Sequence, residues 1–186
     1  MIKYPNNRDK KYNKLIKYGN RGMNLENDIN ESNAYYLEKD IAIIHKKPTP
    51  IGVVKQVANK ITEAYFKSPS TTDYNGLYAG KYIDFEAKET KNKTSFPLDN
   101  IHPHQIEHMR KIVKHKGICF LIIRFVSQME TYLLKAQDFL DFIDNNERKS
   151  VPLSYIKEKG FLLKEKLAPR IDYIEVIKME VQNEKN

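Results

Sequence analysis

The run Ile118-Cys119-Phe120-Leu121-Ile122-Ile123-Arg124-Phe125-Val126 constrains the fold of this chain more than any other stretch. It is too short to cross a membrane, and an apolar segment of that length reads as a buried strand at the centre of a sheet. Glu130 to Leu134 follows as its neighbouring strand. Cys119, the single cysteine, lies inside the run, so disulfides are excluded and an inert, buried thiol is expected. With 186 residues and 40% apolar content the chain can bury a sizeable core, and one domain suits that length better than two.

The clearest local pattern precedes that run. Asp73 to Leu77 and Lys81 to Thr90 read as two strands around the turn Tyr78-Ala79-Gly80. In the second strand, period-2 geometry puts Ile83, Phe85 and Ala87 on one face and Asp84, Glu86 and Lys88 on the other. One face is core and the other carries charge. Around this pair, the spacing predicts a short helix between Gly22 and Ser32, with Leu25 and Ile29 on its buried stripe, and a strand over Ile41 to Ile44. Pro48 and Pro50 then exclude a central strand or helix interior. Ile51 to Val57 resumes as a strand, and Asn59 to Phe66 fits either a strand or a helical turn. A helix is expected from His102 to His115, ended by Gly117, and others over Ala136 to Ile143 and Ser154 to Lys159, the last stopped by Gly160. Ile171 to Ile177 reads as a final strand. The order is mixed α and β, without repeats.

The formal charge is +8, and residues 1–22 hold seven cationic side chains against Asp9 alone. Such a basic arm is attracted to polyanions by counterion release, although a solvated tail has the same composition. No run of 18 or more apolar residues occurs, and the N-terminal stretch lacks the apolar segment of a signal peptide. The expectation is a soluble, intracellular protein with no membrane association.

The charged strand face carries the chemistry. Glu86 and Lys88, two residues apart, point the same way, and Asp73 sits on the neighbouring strand of the hairpin. An Asp followed by Glu-x-Lys offers two hard oxygen ligands for Mg²⁺ or Mn²⁺ and a cation beside a metal-bound water. Phosphodiester hydrolysis needs those parts. Exposed strands of basic proteins also alternate Glu and Lys as solvated pairs, so the pattern alone is unspecific. Its setting on a packed strand, between Phe85 and Ala87, would make the charged face line a cleft. His104 and His108 share a helix face at a zinc-like spacing, but no HExxH motif or partner cysteine joins them. Tyr65, Phe66, Tyr74, Tyr78 and Tyr82 could stack on exposed bases, and core is the preferred reading for most of them.

Several long stretches are together far more specific than the three-residue motif. They are Asn20-Arg21-Gly22-Met23-Asn24-Leu25-Glu26, His45-Lys46-Lys47-Pro48-Thr49-Pro50-Ile51, Ser70-Thr71-Thr72-Asp73-Tyr74-Asn75-Gly76, and Tyr82-Ile83-Asp84-Phe85-Glu86-Ala87-Lys88-Glu89-Thr90. Phe96-Pro97-Leu98, His102-Pro103-His104-Gln105 and Pro169-Arg170-Ile171-Asp172-Tyr173 continue the series. Over nearly its whole length the chain resembles the RecU family of Holliday junction resolvases, a branch of the PD-(D/E)xK nuclease fold.

The resemblance implies a restriction-endonuclease-like α/β domain with a central mixed sheet flanked by helices and a projecting stalk. Its division would be a basic flexible arm over 1–20, a nuclease domain over 21–180 with the stalk inserted at about 46–68, and a frayed tail over 181–186. The implied magnesium ligands are Thr71, Asp73, Glu86 and Gln105, with Lys88 as transition-state stabiliser, and Asp73, Glu86 and Lys88 as the catalytic set. From the residues alone, Thr71 fits because alternation puts it on the Asp73 face, and Gln105 fits if its helix packs beside the strand edge. Glu26, an acid on the early helix, is a further candidate. Arg21, Lys46, Lys47, Lys55, Lys60 and Lys67 are the expected phosphate contacts.

The implied activity is Mg²⁺-dependent nicking of four-way DNA junctions by a symmetric homodimer in recombination, repair and chromosome segregation, in the nucleoid-associated cytoplasm. A RecA-type strand-exchange recombinase is an implied partner. The competing reading is a non-catalytic branched-DNA-binding or recombinase-modulating protein. A pure binding module has no need for an acid pair and a lysine on one face.

Overall fold

The computed structural model describes residues 24–68 and 71–183. In chain order the elements are α1 (Leu25–Glu38), β1 (Ile43–Lys46), β2 (Ile51–Val57), β3 (Lys60–Phe66), β4 (Tyr74–Tyr78) and β5 (Lys81–Thr90). β6 (Ser95–Pro97) and a 3-10 turn lead to α2 (Pro103–Lys114), β7 (Ile118–Phe125), β8 (Glu130–Lys135) and α3 (Ala136–Asn145). β9 (Ser150–Pro152), α4 (Leu153–Lys159), β10 (Phe161–Leu163) and α5 (Tyr173–Asn183) complete the chain.

Six strands form one mixed sheet in the order β1-β4-β5-β7-β8-β10. Among the described residues only β5 and β7 pair in parallel, and the crossover between them carries α2, as a parallel connection requires. β7 is buried at every position. Its side chains divide by pleat. Ile118, Phe120 and Ile122 join a core with α1 and α5, whereas Cys119, Leu121, Ile123 and Phe125 join a second core with α2, α3 and α4. Helices thus flank a central mixed sheet, the class expected. Burial pushes the Cys119 thiol far up, in keeping with an inert cysteine.

The first core contains a ladder of rings across three adjacent strands. Tyr74 stacks on Phe85 at 4.8 Å between centroids, and Phe85 on Phe120 at 4.7 Å. This ladder fixes which side of β5 is apolar, and so directs Asp84, Glu86 and Lys88 to the opposite side.

That opposite side is only partly covered. Among the described residues, the second core draws its sheet members from β7 and β8 and none from β1 or β4. There Ile43 pairs with Leu77, and Leu77 with Tyr82, as a cross-strand row that is 47%, 49% and 41% exposed.

β2 and β3 pair only with each other, as a separate two-stranded ribbon inserted between β1 and β4. All of its residues are exposed except Gly52. Of the five rings read as mostly core, Tyr65 and Phe66 lie on this ribbon and are 58% and 76% exposed, because a two-stranded ribbon has no second layer to bury them. Tyr74 is core, as expected, and Tyr82 is exposed.

Two further differences have local causes. The segment read as a last strand is the helix α5, whose buried Tyr173, Ile174, Ile177 and Val181 recur at helical spacing. Val181 is buried in a stretch expected to fray, since it reaches the first core. α1 also runs past Ser32 to Glu38, carried by buried Ser32, Asn33 and Tyr36. Hydrogen bonds to Ile171 and Tyr173 satisfy those polar groups, so the periodicity of apolar residues alone underestimates the helix.

Candidate active site

The β4–β5 hairpin positions the acid pair. Continuing its register past Tyr74, which pairs with Phe85, sets Asp73 opposite Glu86. The two are tied reciprocally. The Asp73 backbone N–H donates to Glu86 Oε2 at 3.0 Å, and the Ala87 N–H donates to Asp73 Oδ2 at 3.2 Å. Lys88 Nζ lies 2.7 Å from Glu86 Oε1. Asp73, Glu86 and Lys88 are therefore brought together as the sequence predicts.

Glu86 is fully buried, and its Oε1 has the Lys88 ammonium beside it as an ion-pair partner but no hydrogen bond of acceptable geometry. Burial first, and then the neighbouring Asp73 carboxylate, raise its pKa from the ordinary 4.5 to about 7, against the pull of Lys88. An orphaned carboxylate oxygen beside a second carboxylate fits a divalent cation, whose charge would reverse that shift. Among the described residues no three His, Cys, Asp or Glu side chains gather as a metal cage. Two carboxylates completed by uncharged oxygens or water suit Mg²⁺ better than a thiolate or imidazole metal.

A stability consequence follows from the sign of this shift. The folded state holds a proton on Glu86 that the unfolded chain releases, so the metal-free fold loses stability as pH rises from 4.5 through about 7. The loss is roughly 1–3 kcal/mol once both states are ionised. Urea unfolding in EDTA at pH 8 is expected to find Glu86→Gln more stable than wild type by about that amount, with the two converging near pH 4.5. Added Mg²⁺ at pH 8 should then stabilise wild type and not the variant. A wild type that is the more stable of the two in EDTA at pH 8 would contradict the burial argument.

The remaining candidates fall in different places. Thr71 lies in a bend before β4, so strand alternation does not govern it; its hydroxyl accepts from Lys47 Nζ at 3.0 Å. Gln105 is buried in the first turn of α2, where its Oε1 accepts from the His102 N–H at 2.9 Å and keeps a second lone pair. One turn further along α2, His108 Nε2 is 3.2 Å from Asp84 Oδ1, so this face of α2 lies over the acidic face of β5. Glu26 lines a cleft with Asn24, Asp73, Ala87, Lys88 and Glu89. It is held there by an α1 N-terminus that Asn24 caps and whose Leu25 N–H donates to Glu89 Oε1 at 2.8 Å. Lys46 Nζ pairs with it at 2.5 Å.

The cations expected to bind phosphate also separate. Lys55 and Lys60 are exposed on the ribbon and Lys67 at its base, while Arg21 and the basic arm lie outside the described residues. Lys47 is placed differently from these. Its ammonium turns inward to Thr71, to Thr72 Oγ1 at 2.6 Å and to Asp84 Oδ2 at 2.6 Å, leaving its side chain 14% exposed. Asp84 and Thr72 were not singled out by sequence. The signal for Asp84 was its place two residues before Glu86 on the same face, whereas Thr72 gave none.

The sequence profile of the family described as Recombination protein U matches residues 20–179. A Bacillus cytotoxicus protein named "Holliday junction resolvase RecU" is 52% identical over 196 residues, covering 96% of this chain and 97% of that protein. A Shouchella clausii protein of the same name is 55% identical, covering 86% and 80%. A solved structure of Hjc, a Holliday junction resolvase from Archaeoglobus fulgidus, is similar with a TM-score of 0.43 at 13% identity, covering 76% of this chain and 95% of that one. That last likeness is too distant to bear on function.

Proposed function

The chain belongs to the RecU family, and from that premise we propose that it is a Holliday junction resolvase, a structure-selective endonuclease that hydrolyses phosphodiester bonds of four-way DNA junctions. One observation supports the catalytic reading above the others. Asp73 and Glu86 face each other across the hairpin with an orphaned, buried carboxylate oxygen and the Lys88 ammonium beside it.

Asp73 and Glu86 would hold Mg²⁺, with Mn²⁺ as a substitute and Thr71 and Gln105 as candidate neutral oxygen donors. When bound, that cation lowers the pKa of water and neutralises charge developing on the phosphoryl group. Lys88 adds a fixed positive charge for the transition state, preorganised by Glu86 rather than recruited from solvent. The reciprocal bonds from the Asp73 and Ala87 backbone keep both carboxylates from swinging apart under their mutual repulsion. Glu26, which lines the cleft, is a further candidate for orienting water or metal, and Lys46, paired with it, is a candidate phosphate contact.

Cleavage of a labelled synthetic four-way junction in Mg²⁺, with linear duplex and EDTA as controls, tests the reading. Paired, symmetric nicks confined to the junction are expected. Tight junction binding without cleavage in Mg²⁺ or Mn²⁺ would favour the non-catalytic, recombinase-modulating alternative, in which the basic arm would contact a RecA-type partner.

Opposed strands of a four-way junction are related by two-fold symmetry, which a homodimer matches. The open Ile43–Leu77–Tyr82 row, on the same side of the sheet as the acids, is the surface best suited to a second copy. Leu77→Glu is expected to lower the dimer fraction in light scattering by about tenfold or more, through burial of a charge. An unchanged dimer would place the contact elsewhere.

A further inference from the structure

Asp84 is fully buried, yet it is not one of the residues that resemblance assigns to the metal. Its carboxylate collects groups from three parts of the fold. Lys47 Nζ reaches Oδ2 at 2.6 Å and Thr72 Oγ1 donates to Oδ1, both from the base of the ribbon. Tyr82 OH donates to Oδ2 at 3.0 Å from β5 itself, and His108 of α2 lies 3.2 Å from Oδ1. The same ammonium that meets Asp84 also donates to Thr71 Oγ1.

Lys47 further binds the ribbon at its root. It follows β1 on the segment leading out to the ribbon, its backbone N–H donates to Asp73 O at 2.8 Å, and its side chain grips Thr71 and Thr72 in the bend that leads back to β4. The Lys67 N–H donates to Pro50 O at 3.0 Å, closing the two strands against each other just above. The ion pair therefore joins the root of the ribbon to the strand that carries Glu86, and His108 of the helix that carries Gln105 packs against its carboxylate without a hydrogen bond.

We infer that the Lys47–Asp84 pair is a positioning device that sets Thr71 and α2 against the acid pair, and that Lys47 does not contact DNA phosphate. The inference rests on the nuclease reading given above. A buried ion pair is a poor source of net stability compared with apolar packing, since desolvation offsets its attraction. Its geometric effect is large, because fully hydrogen-bonded buried polar groups admit one arrangement. The outer partners of metal ligands act in this way, and losing one typically weakens metal affinity or activity by about 10–100-fold.

The test compares full-length wild type, Lys47→Met, Asp84→Asn and Lys88→Ala. Three quantities are read: single-turnover junction cleavage across a Mg²⁺ titration, the Mg²⁺ dependence of the melting temperature, and junction Kd in EDTA across a salt series. For Lys47→Met and Asp84→Asn, the Mg²⁺ midpoints of both cleavage and melting shift upward by about tenfold or more, while the junction Kd and its salt slope stay at wild-type values. Asp84→Asn is nearly isosteric and carries the test if Lys47→Met does not fold.

Three results would overturn the inference. Midpoints unchanged in both variants would do so. Lower melting temperature or active fraction at an unchanged Mg²⁺ midpoint would reduce the pair to a structural role. A weaker Kd with a salt slope reduced by about one in Lys47→Met alone would make Lys47 a phosphate contact. Failure of the nuclease reading itself looks different, because wild type and Lys88→Ala would then be equally inactive at every Mg²⁺ concentration.

Discussion

Lys88→Ala and Glu86→Ala are each expected to slow junction cleavage by about 10²–10³-fold or more while leaving junction affinity within a few-fold of wild type. The separation of the two effects comes from burial. Glu86 has no exposed surface, so it makes no direct contact with a phosphate, and its removal takes away negative charge near an incoming polyanion. Lys88 is one cation in a chain of net charge +8, so its loss lowers the slope of log Kd against log salt by about one at most. Catalysis has no such reserve. With Glu86 gone, Asp73 is the remaining carboxylate of the pair, and with Lys88 gone Glu86 loses the cation 2.7 Å away that opposes its protonation. Single-turnover rates in Mg²⁺ and binding in EDTA, measured on the same labelled junction, separate the terms. A variant that loses binding and cleavage in proportion would mean that this face grips DNA and that the chemistry lies elsewhere.

These two residues were legible because the information that places them is local. Strand alternation over Lys81 to Thr90 needs no knowledge of the rest of the chain, and the Tyr74–Phe85–Phe120 ladder enforces the same division of faces. β5, α2, β7, β8, α3 and α4 were readable for the same reason. Their apolar periods, and Gly117 and Gly160 at helix ends, stand in the sequence itself, whereas the three-residue strands β6 and β9 were not expected. What was not legible depends on groups distant along the chain. Lys47 was read as a phosphate contact beside two prolines, and its pairing with Asp84, 37 positions away, leaves no mark in the local sequence. Thr71 obeyed alternation only on the premise that β4 begins early, and the bend before Tyr74 removes that premise. α5 was misread because its run Ile171 to Ile177 is rich in β-branched residues, whereas packing against the first core selects the helical spacing of Tyr173, Ile174, Ile177 and Val181.

Arg124 is the clearest case of a residue whose role the sequence hides, and its removal is expected to have the largest effect on stability. It interrupts the central apolar run on the pleat that faces α1, and it is 7% exposed. Its Nη2 lies 2.6 Å from Asp28 Oδ2 and donates to Glu165 Oε1 at 3.3 Å, while Nε donates to Thr131 Oγ1 at 3.0 Å. Asp28 is buried at 1% exposure on α1, and beyond Arg124 its charged neighbour is Arg170 at 3.4 Å. Arg124→Leu leaves that carboxylate underpaired in a low dielectric, which costs about 3–5 kcal/mol. For a domain of this size the melting temperature should fall by roughly 10 °C.

The cause can be separated from lost packing by a second substitution. Adding Asp28→Leu removes the stranded charge, so the double variant should regain a large part of the loss, because a buried pair replaced by apolar side chains is often neutral. Urea unfolding of both single variants and the double one gives the coupling directly. A double variant no more stable than Arg124→Leu would show that Arg124 acts through its stem and through Thr131 instead. The network also bears on the site, since Arg124 Nη1 lies 3.9 Å from Glu89, whose carboxylate accepts the Leu25 N–H at the start of α1. Loosening Arg124 should therefore free the helix end that holds Glu26 at the cleft, and cleavage by the folded fraction is expected to decline along with stability.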